Sequence, residues 1–186
     1  MKHSIILWLC LVIAIAGTAQ KKQALFVGAG VGLDHGGIGV KTEYQPFKYL
    51  GIFLGLGYDF VGPSGNLGFI YNILPDKNFT PVLIAMGGIN GTIITKYSYD
   101  GTATAWENRG QYAGGTVGGG FDIKFGRRKN QKANFMILVP IRDRTFYDAR
   151  RSIISRGGTI ERDAPAVLVA AGWNINLFNL RAKRND

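Results

Sequence analysis

The chain has 186 residues, 27 of them glycine, with one cysteine and a formal net charge of +10. That length suits a single domain, and a lone cysteine excludes both a disulfide framework and a cysteine-held metal. The charged share of 18% falls below the roughly 25% of ordinary soluble domains.

Lys2 and His3 precede an apolar stretch from Ile5 to Ala16, and Gly17-Thr18-Ala19 supplies the small residues a signal peptidase reads. Residues 1–19 are therefore expected to be a signal peptide, cut before Gln20, because the apolar run is too short and too near the terminus for a permanent spanning helix. Cys10 and Lys2 leave with it, which lowers the charge from +10 to +9.

Beyond Gln20, bulky apolar residues alternate with glycine or polar ones. Val27, Ala29, Val31 and Leu33 interleave with Gly28, Gly30 and Gly32, and Ile52, Leu54, Leu56 and Tyr58 with Phe53, Gly55 and Gly57. Successive side chains of a strand point to opposite faces, so each run builds one greasy face and one small or polar face. Sustained helical spacing is missing, and the glycines would penalise a helix. Eight strands are predicted, over 25–33, 38–46, 50–60, 66–74, 81–99, 102–125, 134–156 and 159–178. Connections after the second, fourth and sixth strands are brief turns, at 45–49, 75–78 and 126–133. The last two strand pairs instead run past membrane length to hairpin tips at Asp100-Gly101 and Gly157-Gly158. At about 3.3 Å per residue, a strand of roughly 19 residues tilted by about 45° rises some 40 Å, against an apolar band of about 25 Å. The fifth to eighth strands should therefore project as a small sheet with exposed edges.

The predicted fold is all-β: an eight-stranded antiparallel up-and-down transmembrane β-barrel with a closed, side-chain-filled lumen, spanning residues 20–178, followed by a short basic tail, 179–186. A soluble lipocalin-like barrel holding an apolar ligand alternates too, with its apolar face inward. Glycine on the smaller face favours the membrane form, because glycines suit a cramped lumen and poorly suit a wet exterior. Tyr44, Tyr58, Tyr71, Tyr112 and Trp173 are expected on the bulky face near strand ends, as interfacial aromatics.

On this pattern and topology the stretch from Leu25 to Phe178 resembles the small eight-stranded outer-membrane β-barrel family, in particular members with projecting extracellular hairpins. The Ala19-Gln20 junction resembles signal peptides of the Bacteroidota. The resemblance implies residence in the outer membrane of a Gram-negative bacterium. One departure is that family barrels usually end on an aromatic, whereas Phe178 is followed by Asn179 to Asp186.

Lys41, Glu43, Asp59, Asp122 and Lys124 share the glycine face, and an eight-stranded interior is only wide enough to be filled by side chains. Buried charges must pair, so a salt-bridged plug, with Glu43 facing Lys124, is preferred to an ion pathway. The family's known enzymes modify lipids with serine, histidine and acidic residues. Here His35, beside Asp34, reads as a turn histidine, since Ser64, Ser98, Ser152 and Ser155 lie in turns or projecting segments. No catalytic, cofactor-binding or metal residue is assigned, and Gly28-Ala29-Gly30-Val31-Gly32 lacks the strand-then-helix context of a nucleotide loop.

Arg127, Arg128, Lys129 and Lys132 crowd one predicted turn beside a tail carrying Arg181, Lys183 and Arg184, a rim suited to anionic headgroups and not to nucleic acid. Tyr97, Tyr99, Trp106, Arg150, Arg151 and Arg156 are candidate contacts for a protein partner or for lipopolysaccharide phosphates on the projecting hairpins, near 92–109 and 142–165. The expected role is that of a monomeric, non-enzymatic envelope protein, structural or adhesive, surrounded by outer-membrane lipid.

Overall fold

In a computed structural model, residues 23–97, 106–126, 129–155, 159–162 and 164–178 are described, with backbone alone at 95–97, 106–109 and 159–162. The predicted signal peptide, 1–19, and the tail beyond Phe178 lie outside the described residues, as do Tyr99, Arg156 and both predicted hairpin tips.

The strands are β1 (Ala24–Gly32), β2 (Gly37–Gln45), β3 (Leu50–Tyr58), β4 (Pro63–Asn72), β5 (Phe79–Tyr97), β6 (Trp106–Phe125), β7 (Gln131–Arg142), β8 (Thr159–Arg162) and β9 (Leu168–Asn176), with helix α1 (Arg144–Ser155) between β7 and β8. Eight of them close an antiparallel up-and-down barrel in which each strand pairs with its sequence neighbour, β7 pairs with β9, and β1 with β9 completes the ring. Strand β8 stays outside and pairs with β5 at Thr95↔Ile160 and Lys96↔Thr159.

Chain direction places the 46–49, 73–78 and 126–130 turns on one rim, the short-turn rim, and the connections after β1, β3, β5 and β7, which include the two long ones, on the other, the long-loop rim. β5 and β6 remain paired to Tyr97↔Trp106, whereas β4 leaves β5 at Asn66↔Gly88, so the two long strands continue above the wall as a ribbon that β8 widens to three strands. Asn90 forms the bulge where the ribbon departs: its Nδ2 donates to the carbonyl oxygens of Gly115 (2.6 Å) and Ile141 (3.3 Å), tying β5 to β6 and β7.

The bulky face is the outer face. Leu54, Leu56, Leu67, Phe69, Ile137 and Val169 are exposed on the wall, Ile137 at 59%, a surface that opposes the lipocalin-like alternative. The inner face is mixed: Phe53, Ile70, Val82, Ile84, Met86, Met136 and Leu138 form an apolar cluster on one side, and polar side chains fill the rest.

Two expectations are corrected. The predicted seventh strand, 134–156, ends at Arg142 and gives way to α1, so 142–165 is no β-hairpin. Asp143 leads into the helix: its carbonyl accepts the Phe146 N–H at 3.1 Å and its carboxylate accepts the Arg144 N–H at 2.6 Å. Phe146, Ala149, Ser152 and Ile153 then recur at helical spacing on its less exposed face. The predicted eighth strand, 159–178, is two strands, broken at Ala164-Pro165, where proline supplies no N–H to a ladder.

Candidate functional site

The connection between β1 and β2 does not stand above the rim. Leu33–His35 form a single 3₁₀ turn that folds into the barrel mouth and leaves Asp34 and His35 fully buried. Gly36 (φ 69°) and Gly37 (φ 97°) reverse the chain in a region that side chains rarely enter. The Asn66 Nδ2 donates to the Leu33 carbonyl at 2.7 Å and fixes the turn from the facing wall.

Asp34 accepts from Lys41 Nζ at 2.6 Å through one oxygen and lies 2.9 Å from His35 Nδ1 through the other. Asn134 reaches the same carboxylate at 3.4 Å and accepts from Asn174 at 2.8 Å. The imidazole occupies room left by a facing glycine pair: a Cβ on Gly172 would lie 2.5 Å from His35 Nε2, and one on Gly30 would lie 2.6 Å from it.

Nearer the short-turn rim, Lys132 Nζ donates to Glu43 at 2.7 Å and to Asp122 at 2.9 Å, all three side chains being buried. Gln45 Nε2 donates to the second Glu43 oxygen at 2.5 Å, and the Lys132 ammonium lies 4.5 Å from the centroid of the Phe26 ring. Three carboxylates, two ammonium groups and one imidazole thus share the lumen (Asp34, Glu43, Asp122; Lys41, Lys132; His35). Paired charge of this kind compensates burial, whereas removing one partner strands the other in low dielectric.

Of the five lumen charges expected from sequence, Lys41, Glu43 and Asp122 therefore lie inside. Lys124 does not meet Glu43; it sits at the short-turn rim and donates to the Pro75 carbonyl at 2.6 Å. Asp59 sits at the long-loop rim, where it accepts from Val61 N, Gly62 N and Gln111 Nε2. Lys132 is the partner that sequence reasoning missed. The sequence pattern starts this strand at residue 134 and so leaves Lys132 in a basic turn, whereas β7 begins at Gln131 and the parity of Lys132 with Asn134 and Met136 marks an inward position.

Tyr44, Tyr58, Tyr71 and Trp173 are exposed on the outer wall. Phe79, Phe121 and Phe135 add a stack across β5, β6 and β7, with centroids 5.0 and 5.5 Å apart, and Phe125 packs on Trp173 at 4.6 Å. Tyr112 is a correction: it shares the inward parity of Gly114, Thr116 and Gly118, and packs edge-on against Phe146 of α1 at 5.4 Å. Arg142 lies over the same Phe146 ring and donates to the Pro165 carbonyl, so Phe146 joins α1 to the barrel mouth. Arg150 and Arg151 are exposed on α1, Arg151 4.0 Å from Asp148. The side chains of Tyr97 and Trp106 lie outside the described set.

No protein family matches the chain, and no curated protein matches it. Among solved structures it is similar to the N-terminal β-barrel domain of Pseudomonas aeruginosa OprF, at 14% identity and a TM-score of 0.51, over 84% of this chain and 98% of that one. What the two share at that identity is the fold, a closed eight-stranded antiparallel β-barrel.

Proposed function

We propose that the protein is a non-enzymatic outer-membrane β-barrel of a Gram-negative envelope, delivered by a cleaved signal peptide and acting through what it carries above its long-loop rim. The observation that bears most weight is the inversion of the wall: apolar side chains outside, ion-paired lysines and carboxylates sealed inside. Only a hydrocarbon surround makes that arrangement favourable for so many exposed leucines, isoleucines and aromatics. The likeness to the OprF barrel domain supports the same reading at the level of fold.

The packed interior argues for a wall that does not conduct. The projecting β5–β6 ribbon, widened by β8 and flanked by α1 with Arg150 and Arg151, is the surface we assign to a protein partner or to lipopolysaccharide. For the Asp34–His35 pair the structural role is favoured over a catalytic one, because the imidazole lies wholly inside the barrel. Cell fractionation with heat-dependent gel mobility is the test: the protein should partition with outer membranes and migrate as a compact barrel until boiled. Recovery in the soluble fraction with no mobility shift would end this reading, and steady conductance in planar bilayers would end its closed-lumen part.

A further inference from the structure

The β5–β6 ribbon loses both of its neighbours at one rung, Gly88↔Gly114: the last rung with β4 is Asn66↔Gly88, and the last with β7 is Gly114↔Arg142. The rung below it, Gly87↔Gly115, is also a glycine pair. Close approach accounts for the upper pair, since a Cβ on Gly88 would strike the Gly65 carbonyl oxygen and one on Gly114 that of Ile141. No such crowding accounts for the lower pair, which faces outward. A Cβ on Gly87 would have its nearest neighbour at 3.9 Å, and one on Gly115 would meet nothing within 4 Å. Leu67 and Ile141, which pair with these two glycines on either side, are bulky and exposed. Glycine within a strand forgoes side-chain packing and leaves the backbone free to bend, and the bulge at Asn90 just above interrupts the ladder.

Two grips hold the ribbon immediately beyond this point. The connection from β3 to β4 closes on Gln111, whose Nε2 donates to Asp59 Oδ1 at 3.1 Å, to Asp59 Oδ2 at 3.0 Å and to the Pro63 carbonyl at 3.1 Å. The same carboxylate accepts the N–H groups of Val61 and Gly62, and a Cβ on Gly62 would lie 3.3 Å from the Gln111 amide. On the opposite face of the strand, α1 sets Phe146 edge-on to Tyr112 at 5.4 Å and against the bare backbone of Gly91, where a Cβ would lie 3.0 Å from the ring. Gly91↔Tyr112 and Thr92↔Gln111 are adjacent rungs. Both grips therefore act on one short segment, and each comes from a connection outside the ribbon.

We propose that the ribbon is a hinged arm: it pivots at the outward pair Gly87↔Gly115 and is held in place by two clasps, the β3–β4 connection on Gln111 and α1 on Gly91 and Tyr112. A two-stranded ribbon has little stability of its own, so its position is set by what grips its foot, and loss of the clasps releases it. β8, paired higher up at Thr95 and Lys96, travels with it. A hinge of this kind needs a few residues that absorb the backbone change, and the outward glycines are the ones that no steric demand explains.

The inference rests on the reading of the ribbon as the working surface of a membrane barrel, and heat-shifted mobility reports the barrel separately from the arm. The folded full chain, carrying Cys10→Ser, is spin-labelled at Lys96→Cys on the ribbon and Val40→Cys on the wall, and the label separation is read by pulsed electron double resonance in lipid nanodiscs. Removing both clasps with Gln111→Ala and Phe146→Ser should broaden the distance distribution about twofold, and either substitution alone by part of that amount. Adding Gly87→Val and Gly115→Val, a β-branched cross-strand pair on the open side of the hinge, should restore the native width. Gly119→Val, at another outward position of β6 where a Cβ meets ordinary contacts at 3.4 and 3.5 Å, is the control and should restore nothing. A ribbon that keeps its native width in the single and double clasp variants, one that stays broad with both valines, or equal narrowing by Gly119→Val overturns the proposal. So does a valine pair that abolishes the heat-shifted barrel of the otherwise native chain, because the outer side would then not be open. A native chain that gives no heat-shifted barrel overturns the membrane reading instead.

Discussion

At the scale of residues, the lumen depends on pairings that cannot be removed singly. Replacing Lys132 with methionine leaves Glu43 and Asp122 facing each other in a dry interior, and should cost about 3–5 kcal/mol of stability, measured by urea unfolding in lipid vesicles. The exposed Lys48–Asp76 pair at 3.0 Å should give no measurable change on Lys48→Ala. Gly172→Ala tests the room left for the imidazole. It should destabilise the native chain but much less a His35→Gly background, because two of its three nearest contacts are His35 atoms; equal cost in both backgrounds in a double-mutant cycle would exclude this packing account. The charge pairing itself was only partly legible. Lys41, Glu43 and Asp122 could be put inside from strand parity, whereas which ammonium met which carboxylate depended on strand register, and a late start for β7 sent Lys132 to the wrong compartment.

At the scale of elements, alternation identified every barrel strand but misread the segment after Arg142. The helical spacing of Phe146, Ala149 and Ile153 was present, yet a strand pattern extended from β7 absorbed it. What decides for α1 is tertiary: Phe146 docks between Tyr112 and Arg142 at the barrel mouth, and isolated helices of this length are marginal without such packing. Phe146→Ser should therefore release the helix, speeding amide hydrogen exchange over 144–155 at least tenfold while the barrel keeps its heat-shifted mobility. The inward 3₁₀ turn is a second case. Asp34-His35-Gly36-Gly37 announces a tight reversal in sequence, but its direction is set by Lys41 below, on the next strand, and by Asn66 opposite, 33 residues along the chain from the carbonyl it holds.

At the scale of the whole molecule, the barrel is apolar outside and partly polar inside, and on the membrane reading proposed above its stability is referred to lipid. A charge placed on its wall should be costly in proportion to depth: Leu54→Arg is expected to cost about 2–4 kcal/mol, read as a loss of folding yield into vesicles. Arginine at exposed Tyr147 on α1 should leave that yield unchanged, since Tyr147 stands above the wall. The sequence by itself determined the strand period, the up-and-down order and the chemical difference between the two faces, because these are local consequences of side-chain alternation and turn residues. Only the tertiary structure decided that the greasy face looks outward, that Lys132 bridges Glu43 and Asp122, and that the first long-rim turn plugs the mouth. Each of those is set by closure of the ring, which fixes registers between segments far apart in the chain and brings β9 back to β1.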